Sequence, residues 1–317
     1  MHIGIVGAGG AGGYFAARWF EAGIEVTLIA RGRHLDAMKA SGLRLVSPLG
    51  DAIARPALSR DPAALAAADV VVFATKSWQL DEAVASAAPF LKMDAVVFGI
   101  QNGVGSVNQL AGAVGAKNVL GATCRIISLV ERPGVVRHVG VDPIIFIGEA
   151  EGQLSARVRD LGAALSIGRK LTVEASSDIV HALWEKLLLF APVSGVGSVT
   201  GTSIGTFRAD AEGRRLLTAA IAEVAAVAKA LGIDLGENAV QRSLDFIETV
   251  PPDGTSSMHR DFEAGRRTEL EALSGAVSRL GVGLGVPTPT HDFIVESLMP
   301  RELAARQRAE PGTTFAR

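Results

Sequence analysis

Residues 2–19 read HIGIVGAGGAGGYFAARW, a short apolar run followed by a glycine-rich loop and a helical pattern. Gly7, Gly9 and Gly12 stand in G-x-G-x-x-G spacing. A strand that ends in such a loop and re-emerges as a helix is the opening of a dinucleotide-binding βαβ unit. The first glycine permits a tight turn, the second lets the backbone approach a pyrophosphate, and the third lets the helix pack closely on the sheet. The helix N-terminus then turns free N–H groups and the positive end of its dipole toward the phosphates. Gly7, Ala8, Gly9, Gly10, Ala11 and Gly12 are therefore candidate cofactor contacts. The competing reading is a structural glycine-rich turn.

The neighbouring segments agree with a βαβ start. Residues 25–30 (EVTLIA), 69–74 (DVVVFA) and 95–100 (AVVFGI) are short runs rich in β-branched residues, and 11–21, 33–40 and 79–88 carry helical patterns. This alternation predicts a doubly wound Rossmann-type parallel sheet, with strands buried on both faces. From 118 to 174 strand-like segments follow one another with one helix near 153–165, which predicts an edge extension of the sheet. After Glu174 only helical patterns remain. Leu217, Ile221, Val224, Ala228 and Leu231 form one apolar stripe, Val240, Leu244 and Ile247 a second, and Leu270, Leu273, Val277 and Leu280 a third. The chain thus divides into an α/β domain, 1–174, and an all-helical domain, 175–317, with a ligand site expected between them.

Composition narrows the function. A length of 317 residues suits about two domains, and 48% hydrophobic residues can build their cores. A net charge of −2 leaves no footprint for nucleic acid or an acidic membrane surface. The start of the chain shows no basic n-region or cleavage site, so no secretory signal is expected. The apolar run from Leu187 is broken by Pro192 and Ser194 and reads poorly as a membrane span. Cys124 is the single cysteine, which excludes an intrachain disulfide framework and a multi-cysteine zinc site. The expected setting is the reducing cytoplasm. His34, His181, His259 and His291 are scattered without metal-ligand spacing, so no metal is expected.

The end of the second strand selects the cofactor. An acidic residue there would hold the ribose 2′-hydroxyl of NAD. The chain instead has Arg31-Gly32-Arg33. A guanidinium suits a 2′-phosphate, so NADP(H) is expected, with Arg31 as the main contact. Further on, Lys186 leads the apolar stretch WEKLLLFAPVSGVGSVTG (184–201). Such a lysine can merely snorkel. It can also serve chemistry, because an ammonium stabilises and protonates the oxygen of a ketone that receives a hydride.

With ATKSWQ around Lys76, QNG around Asn102, WEK at 184–186, SSM at 256–258, TELE at 268–271 and GVPTPT at 285–290, the ordered set resembles the ketopantoate reductase (2-dehydropantoate 2-reductase) family. That family reduces ketopantoate with NADPH to pantoate, a precursor of coenzyme A. The resemblance implies the pyrophosphate loop at Gly7 to Gly12 and a 2′-phosphate contact at Arg31. It places Lys76 and Asn102 near the nicotinamide ribose, with Asn102 also close to substrate. Lys186 matches the general acid, Ser257 the serine that holds the substrate carboxylate, and Glu269 a glutamate in the catalytic network. The chain departs from the family where asparagines follow the lysine: Phe190, Ser194 and Ile204 stand there. Of these only Ser194 can still offer a hydrogen bond to substrate.

The resulting expectation is an NADPH-dependent 2-keto acid reductase, with 2-dehydropantoate the first candidate substrate. A related dehydrogenase for a more apolar 2-keto or 3-hydroxy acid and a non-catalytic NADPH sensor are the alternatives. The stripe from Leu217 to Leu231 could build a homodimer interface or pack within its own domain. Cys124 reads as core and Arg125 as structural. Trp19, Trp78 and Trp184 read as core or interface, Asp81-Glu82 as a helix start, and Pro192 as a kink in its helix.

Overall fold

A computed structural model describes residues 1–308 of the chain. They fall into two units, one of residues 1–101 and 105–180, the other of 102–104 and 181 onward.

The first unit opens with strand β1 (His2–Val6), helix α1 (Gly10–Glu21), strand β2 (Glu25–Ile29) and helix α2 (Gly32–Ser41). Strands β3 (Leu43–Val46), β4 (Ala52–Ala54), β5 (Ala57–Ser59) and β6 (Val70–Phe73) follow, then helix α3 (Leu80–Ala87), strand β7 (Val96–Gly99) and helix α4 (Ser106–Val114). The central sheet runs β5-β2-β1-β6-β7 with every pair parallel. All of β1 and β6 is buried, as strands covered by helices on both faces must be. The order reverses between β1 and β6, and that reversal is where doubly wound sheets place their ligands.

The segment 118–174 is only partly an extension of this sheet. Strand β8 (Gly121–Arg125) follows a bridge from Val119 to Val97 of β7, with the Leu120 N–H donating to the Val97 carbonyl at 2.9 Å. Strands β9 (Ser128–Arg132) and β10 (Val135–His138) leave it. They join β3 and β4 in a separate four-stranded sheet. Strand β11 (Ile144–Gly148), helix α5 (Ala156–Leu165) and strand β12 (Thr172–Ala175) complete the unit, with β11 between β12 and β8. The β3–β4 hairpin has no counterpart in the sequence expectation. Its strands are only four and three residues long, and the strand that pairs with β3, β10, lies some ninety positions on.

This second sheet covers the outer side of α1. A side chain on Gly13 would meet Val136 at 2.7 Å. Residues 12–19 of α1 are all buried. The Trp19 indole donates to the Leu165 carbonyl at 2.9 Å and the Tyr14 hydroxyl to the Lys170 carbonyl at 2.6 Å. Trp19 is thus a core residue with its polar edge satisfied.

The second unit is helical: α6 (Ile179–Thr200, whose first two residues belong to the first unit), α7 (Ile204–Ala209), α8 (Ala211–Ala230), α9 (Ala239–Thr249), α10 (Ser257–Glu263), α11 (Ser274–Leu284) and α12 (Pro289–Arg308). Among the described residues α6 alone is long and apolar enough to cross a bilayer, and its Leu187, Leu188, Ala191 and Val196 are buried in the protein. It continues through Pro192. On α8 the stripe Leu217, Ile221, Val224 and Ala228 is buried inside the chain, while Leu231 lies just beyond the helix and is exposed. The third stripe is not one helix. Leu270 and Leu273 are buried, but α11 starts only at Ser274. The Glu269 carbonyl accepts from the N–H groups of Ala272 and Leu273, and the Leu270 carbonyl from that of Gly275, so a turn precedes the helix.

Helix α12 begins at Pro289, a residue suited to a first helical position. Its N–H groups at Thr290 and His291 donate to the buried carboxylate of Glu223 on α8 at 2.8 and 2.9 Å. That charge sits well at a helix N-terminus. His291 is fully buried, and its Nε2 bonds the Ala220 carbonyl at 3.0 Å, while Nδ1 has no hydrogen-bond partner among the described residues. Burial pushes the imidazole pKa down, against the Ala220 bond and the charges of Glu223 and Asp292. The neutral ring is the form the fold favours. Its contribution is therefore complete above the unfolded value, about 6.5, and is lost as pH falls toward the folded one. Thermal unfolding should show stability falling below pH ~6.5 by up to about 1.4 kcal/mol per pH unit from this one proton. His291→Gln, which keeps a donor for Ala220, should flatten that slope. An unchanged slope would exclude His291 as its source.

Candidate functional site

The glycine loop is built by three close approaches and one opening. Gly7 follows β1 with φ +107°, and a Cβ there would lie 2.9 Å from the backbone of Ala74 and Thr75 just beyond β6. A Cβ on Gly12 would lie 2.0 Å from the Gly7 carbonyl. A Cβ on Gly10 would lie 2.3 Å from the carbonyl of Ser128 on β9, a contact the motif itself does not announce. Gly9 differs, because its Cβ would meet nothing within 4 Å. Gly9 is also the N-cap of α1 and supplies no side-chain cap, so no side chain of its own competes for the first-turn amides. An open face over uncapped amides suits a pyrophosphate. Ala8 is nearly buried and Ala11 half-buried beside it.

Arg31 lies two residues beyond β2 as the N-cap residue of α2. It is half-buried, and burial lowers its guanidinium pKa against the opposing field of Glu82 in the first turn of α3. Arginine stays charged under such a shift. Arg33 is exposed. His34, set aside in the sequence as one of several scattered histidines, lies against the loop. Its Nδ1 accepts from the Gly134 N–H at 2.9 Å. Burial lowers its pKa and the nearby Ala8 carbonyl opposes the shift.

Lys76 is half-buried at the entrance to the one-turn helix Ser77–Gln79 beyond β6. The segment carrying it is tied down by Gln101, whose Nε2 donates to the carbonyls of Phe73 and Thr75 at 2.9 and 3.2 Å. Gln101 is itself buried. It joins the carboxyl ends of β6 and β7, a role the sequence reading missed. An amide at the carboxyl end of an apolar strand was the available signal.

In the second unit Asn102 and Glu269 come together across 167 positions, the Asn102 Nδ2 donating to Glu269 Oε2 at 2.8 Å. Glu269 is 5% exposed. Gly103 fits the turn beside them with φ +94°, where a side chain would strike the Ala272 carbonyl at 2.5 Å. Lys186 is half-buried on α6, its Nζ 5.4 Å from the centre of the Phe190 ring one turn on. That separation is a cation–π contact. Phe190 keeps 36% exposure, while Ser194, a further turn along, is 2% exposed. Ile204 is buried at the start of α7.

Ser257 is exposed in the first turn of α10, and the capping serine is its neighbour Ser256, whose Oγ accepts from the His259 N–H at 3.1 Å. His259 is buried, with Nε2 3.4 Å from Glu263. A Cβ on Gly197 of α6 would come within 3.5 Å of its Nδ1. Cys124 lies in the core with its Sγ 3.8 Å from the Ile100 carbonyl, and Arg125 is exposed. Trp184 is buried and Trp78 half-buried. Among the described residues no three His, Cys, Asp or Glu side chains converge as a metal group.

Residues 3–152 match the family described as "Ketopantoate reductase PanE/ApbA", and residues 178–302 match its C-terminal counterpart. A 2-dehydropantoate 2-reductase of Halobacterium salinarum is 34% identical over 87% of this chain and 91% of its own. One from Mesorhizobium japonicum is 32% identical over 93% and 96%. The crystal structure of a PanE/ApbA family ketopantoate reductase from Ralstonia eutropha JMP134 superposes with a TM-score of 0.89 at 29% identity, covering 96% of this chain and 100% of that one.

The glycine loop yields a separable pair of outcomes. Gly12→Ala should cost about 1–3 kcal/mol of stability through overpacking. Gly9→Ala should leave the unfolding midpoint unchanged and weaken dinucleotide binding at least about tenfold, roughly 1.4 kcal/mol. Calorimetry and fluorescence titration separate the two.

Proposed function

The chain belongs to the ketopantoate reductase family, and from that premise we propose that it reduces the keto group of a 2-keto acid with NADPH, 2-dehydropantoate being the first candidate. The observation that carries this reading is the Asn102–Glu269 hydrogen bond, which unites the QNG and TELE segments in one unit. With its Nδ2 committed to a buried carboxylate, the Asn102 amide has a set orientation. Its Oδ1 is left to accept from a hydroxyl of the cofactor ribose or the substrate.

The groups divide the work. A bound nicotinamide supplies the hydride. The open face of Gly9 and the first-turn amides of α1 hold the pyrophosphate, and Arg31 takes the 2′-phosphate as a bidentate donor. Lys76 stands near the ribose. Lys186 stabilises the negative charge that grows on the ketone oxygen and gives it a proton from Nζ. Ser257 holds the substrate carboxylate from its exposed place in the first turn of α10.

The Phe190 ring favours a second reading of the substrate. Where relatives of the resembled pattern carry an amide, this chain presents a partly exposed ring beside the lysine. Such a wall pairs poorly with a substrate hydroxyl and well with an apolar side chain. A branched or aromatic 2-keto acid is the alternative to 2-dehydropantoate.

Oxidation of NADPH with a panel of 2-keto acids, followed by absorbance, decides between them. Turnover fastest with 2-dehydropantoate supports the first reading, and turnover confined to apolar keto acids the second. Tight NADPH binding with no turnover would make the chain a sensor. Lys186→Ala should lower kcat at least ~10²-fold with NADPH affinity nearly intact. A variant that keeps a third of the activity would remove Lys186 from the mechanism.

Cofactor choice has its own check. NADPH should be used in preference to NADH. Arg31→Ala should raise the KM for NADPH about 10–100-fold, the worth of a charge-assisted bond, and leave that for NADH nearly unchanged. Equal use of both cofactors by the unaltered protein would overturn the assignment.

A further inference from the structure

The turn that carries Glu269 is held by a helix far from it in sequence. Glu302 on α12 is 1% exposed. Its Oε2 accepts from both the N–H and the hydroxyl of Thr268, at 2.9 and 2.7 Å. The Thr268 hydroxyl in turn accepts from the Leu270 N–H at 3.2 Å. The two residues flanking Glu269 are thereby fixed through one carboxylate oxygen. The other oxygen of Glu302 accepts from Arg306 Nε at 2.9 Å and lies 3.8 Å from Arg267 Nε. Arg306 also pairs with Glu271 at 3.2 Å. The segment 267–271 is thus tied to one turn of α12 at Arg267, Thr268 and Glu271, and Glu269 is the member of it that bonds Asn102.

A buried carboxylate is costly unless it is fully hydrogen-bonded and paired. Glu302 meets that condition by using both oxygens on a five-residue turn and its partner arginine. A turn needing only to be closed would be served by its own backbone bonds, which are present at Ala272 and Leu273.

We propose that Glu302 is a positioning residue for Glu269: through Thr268 it holds the turn in the one conformation from which the Glu269 carboxylate reaches the Asn102 amide. The inference rests on the role given above to Asn102 and Glu269. It adds a residue, on α12, that acts only through another side chain.

A double-mutant cycle tests it. Glu302→Ala should lower kcat at least tenfold with the KM for NADPH within twofold. Glu302→Gln, which keeps a carbonyl acceptor for Thr268, should retain a third or more of the activity. In a Glu269→Ala background, Glu302→Ala should cost less than a further twofold, because the group it positions is gone. Equal fold-losses in the two backgrounds would overturn the proposal and leave Glu302 a structural residue. A Glu269→Ala variant with full activity would instead overturn the role of Glu269 itself. Amide hydrogen exchange of the full chain reads the same point without turnover. The Leu270, Ala272 and Leu273 amides should exchange at least tenfold faster in Glu302→Ala than in the unaltered protein, and Thr268→Val should produce the same change at Leu270. Unchanged protection there would overturn the proposal whatever the activity shows.

Discussion

The distance between two backbones sets the architecture of the first unit. Helix α1 crosses the end of β1 so closely that a methyl group on Gly12 would lie 2.0 Å from the Gly7 carbonyl. No neighbour can yield at that separation, because the obstacle is main chain. The helix is therefore pressed onto the sheet at its N-terminal end, where the strand order reverses. The first-turn amides come to the carboxyl edge of β1 and β6, and the only uncrowded glycine in the approach is Gly9. The dinucleotide cradle is in this sense a by-product of close packing, and the ligand-facing atoms are those that packing leaves over.

The second unit rests on a different device. Among the described residues of this unit four carboxylates are buried at 9% exposure or less, and three of them are met by a donor from a distant segment: Glu223 by the α12 N-terminus, Glu302 by Thr268, Glu269 by Asn102. Such bonds are strong because the acceptor is charged, and they discriminate between alternative helix arrangements because an unpaired buried carboxylate is so unfavourable. Apolar stripes alone would let these helices slide, whereas a carboxylate aimed at particular N–H groups does not.

This contrast explains what could be seen in the sequence. The βαβ alternation and the glycine loop were legible because period and spacing are local properties, and the observed strands and helices of 2–21 and 69–100 fall within a residue or two of the expected ones. The α8 stripe as far as Ala228, and the existence of α9 with Ile247 buried, were legible for the same reason. The stripe from Leu270 was misread as one helix. Burial at helical intervals was correct, but the chain reaches it by a turn whose hydrogen bonds run to Glu302, which in the segment PRELAARQR looks like an ordinary solvent-facing charge. Strands β3 and β4 were missed because β3 pairs with the distant β10 and β4 pairs with β3. The candidate site divides along the same line. Gly7 to Gly12, Arg31 and Lys186 could be picked by residue type and position, whereas Gln101 and Glu302 are ordinary residues until the fold shows what they hold.

The covering of α1 has a consequence for how the chain is made. Its outer face is closed by Val136 over Gly13, and its two aromatic donors are satisfied at Leu165 and Lys170. A nascent chain that has emerged as far as β7 already holds all five parallel strands, yet it leaves the Trp19 indole and the Tyr14 hydroxyl without these acceptors and the outer side of the helix covered by β3 and β4 alone. Helix α1 is thus an early element that is completed late. These two bonds span 146 and 156 residues, and pairings at such separation form only after the cost of closing a long loop is met. Any fragment that ends before residue 170 is therefore an incomplete unit, however well it matches the βαβ pattern at its start.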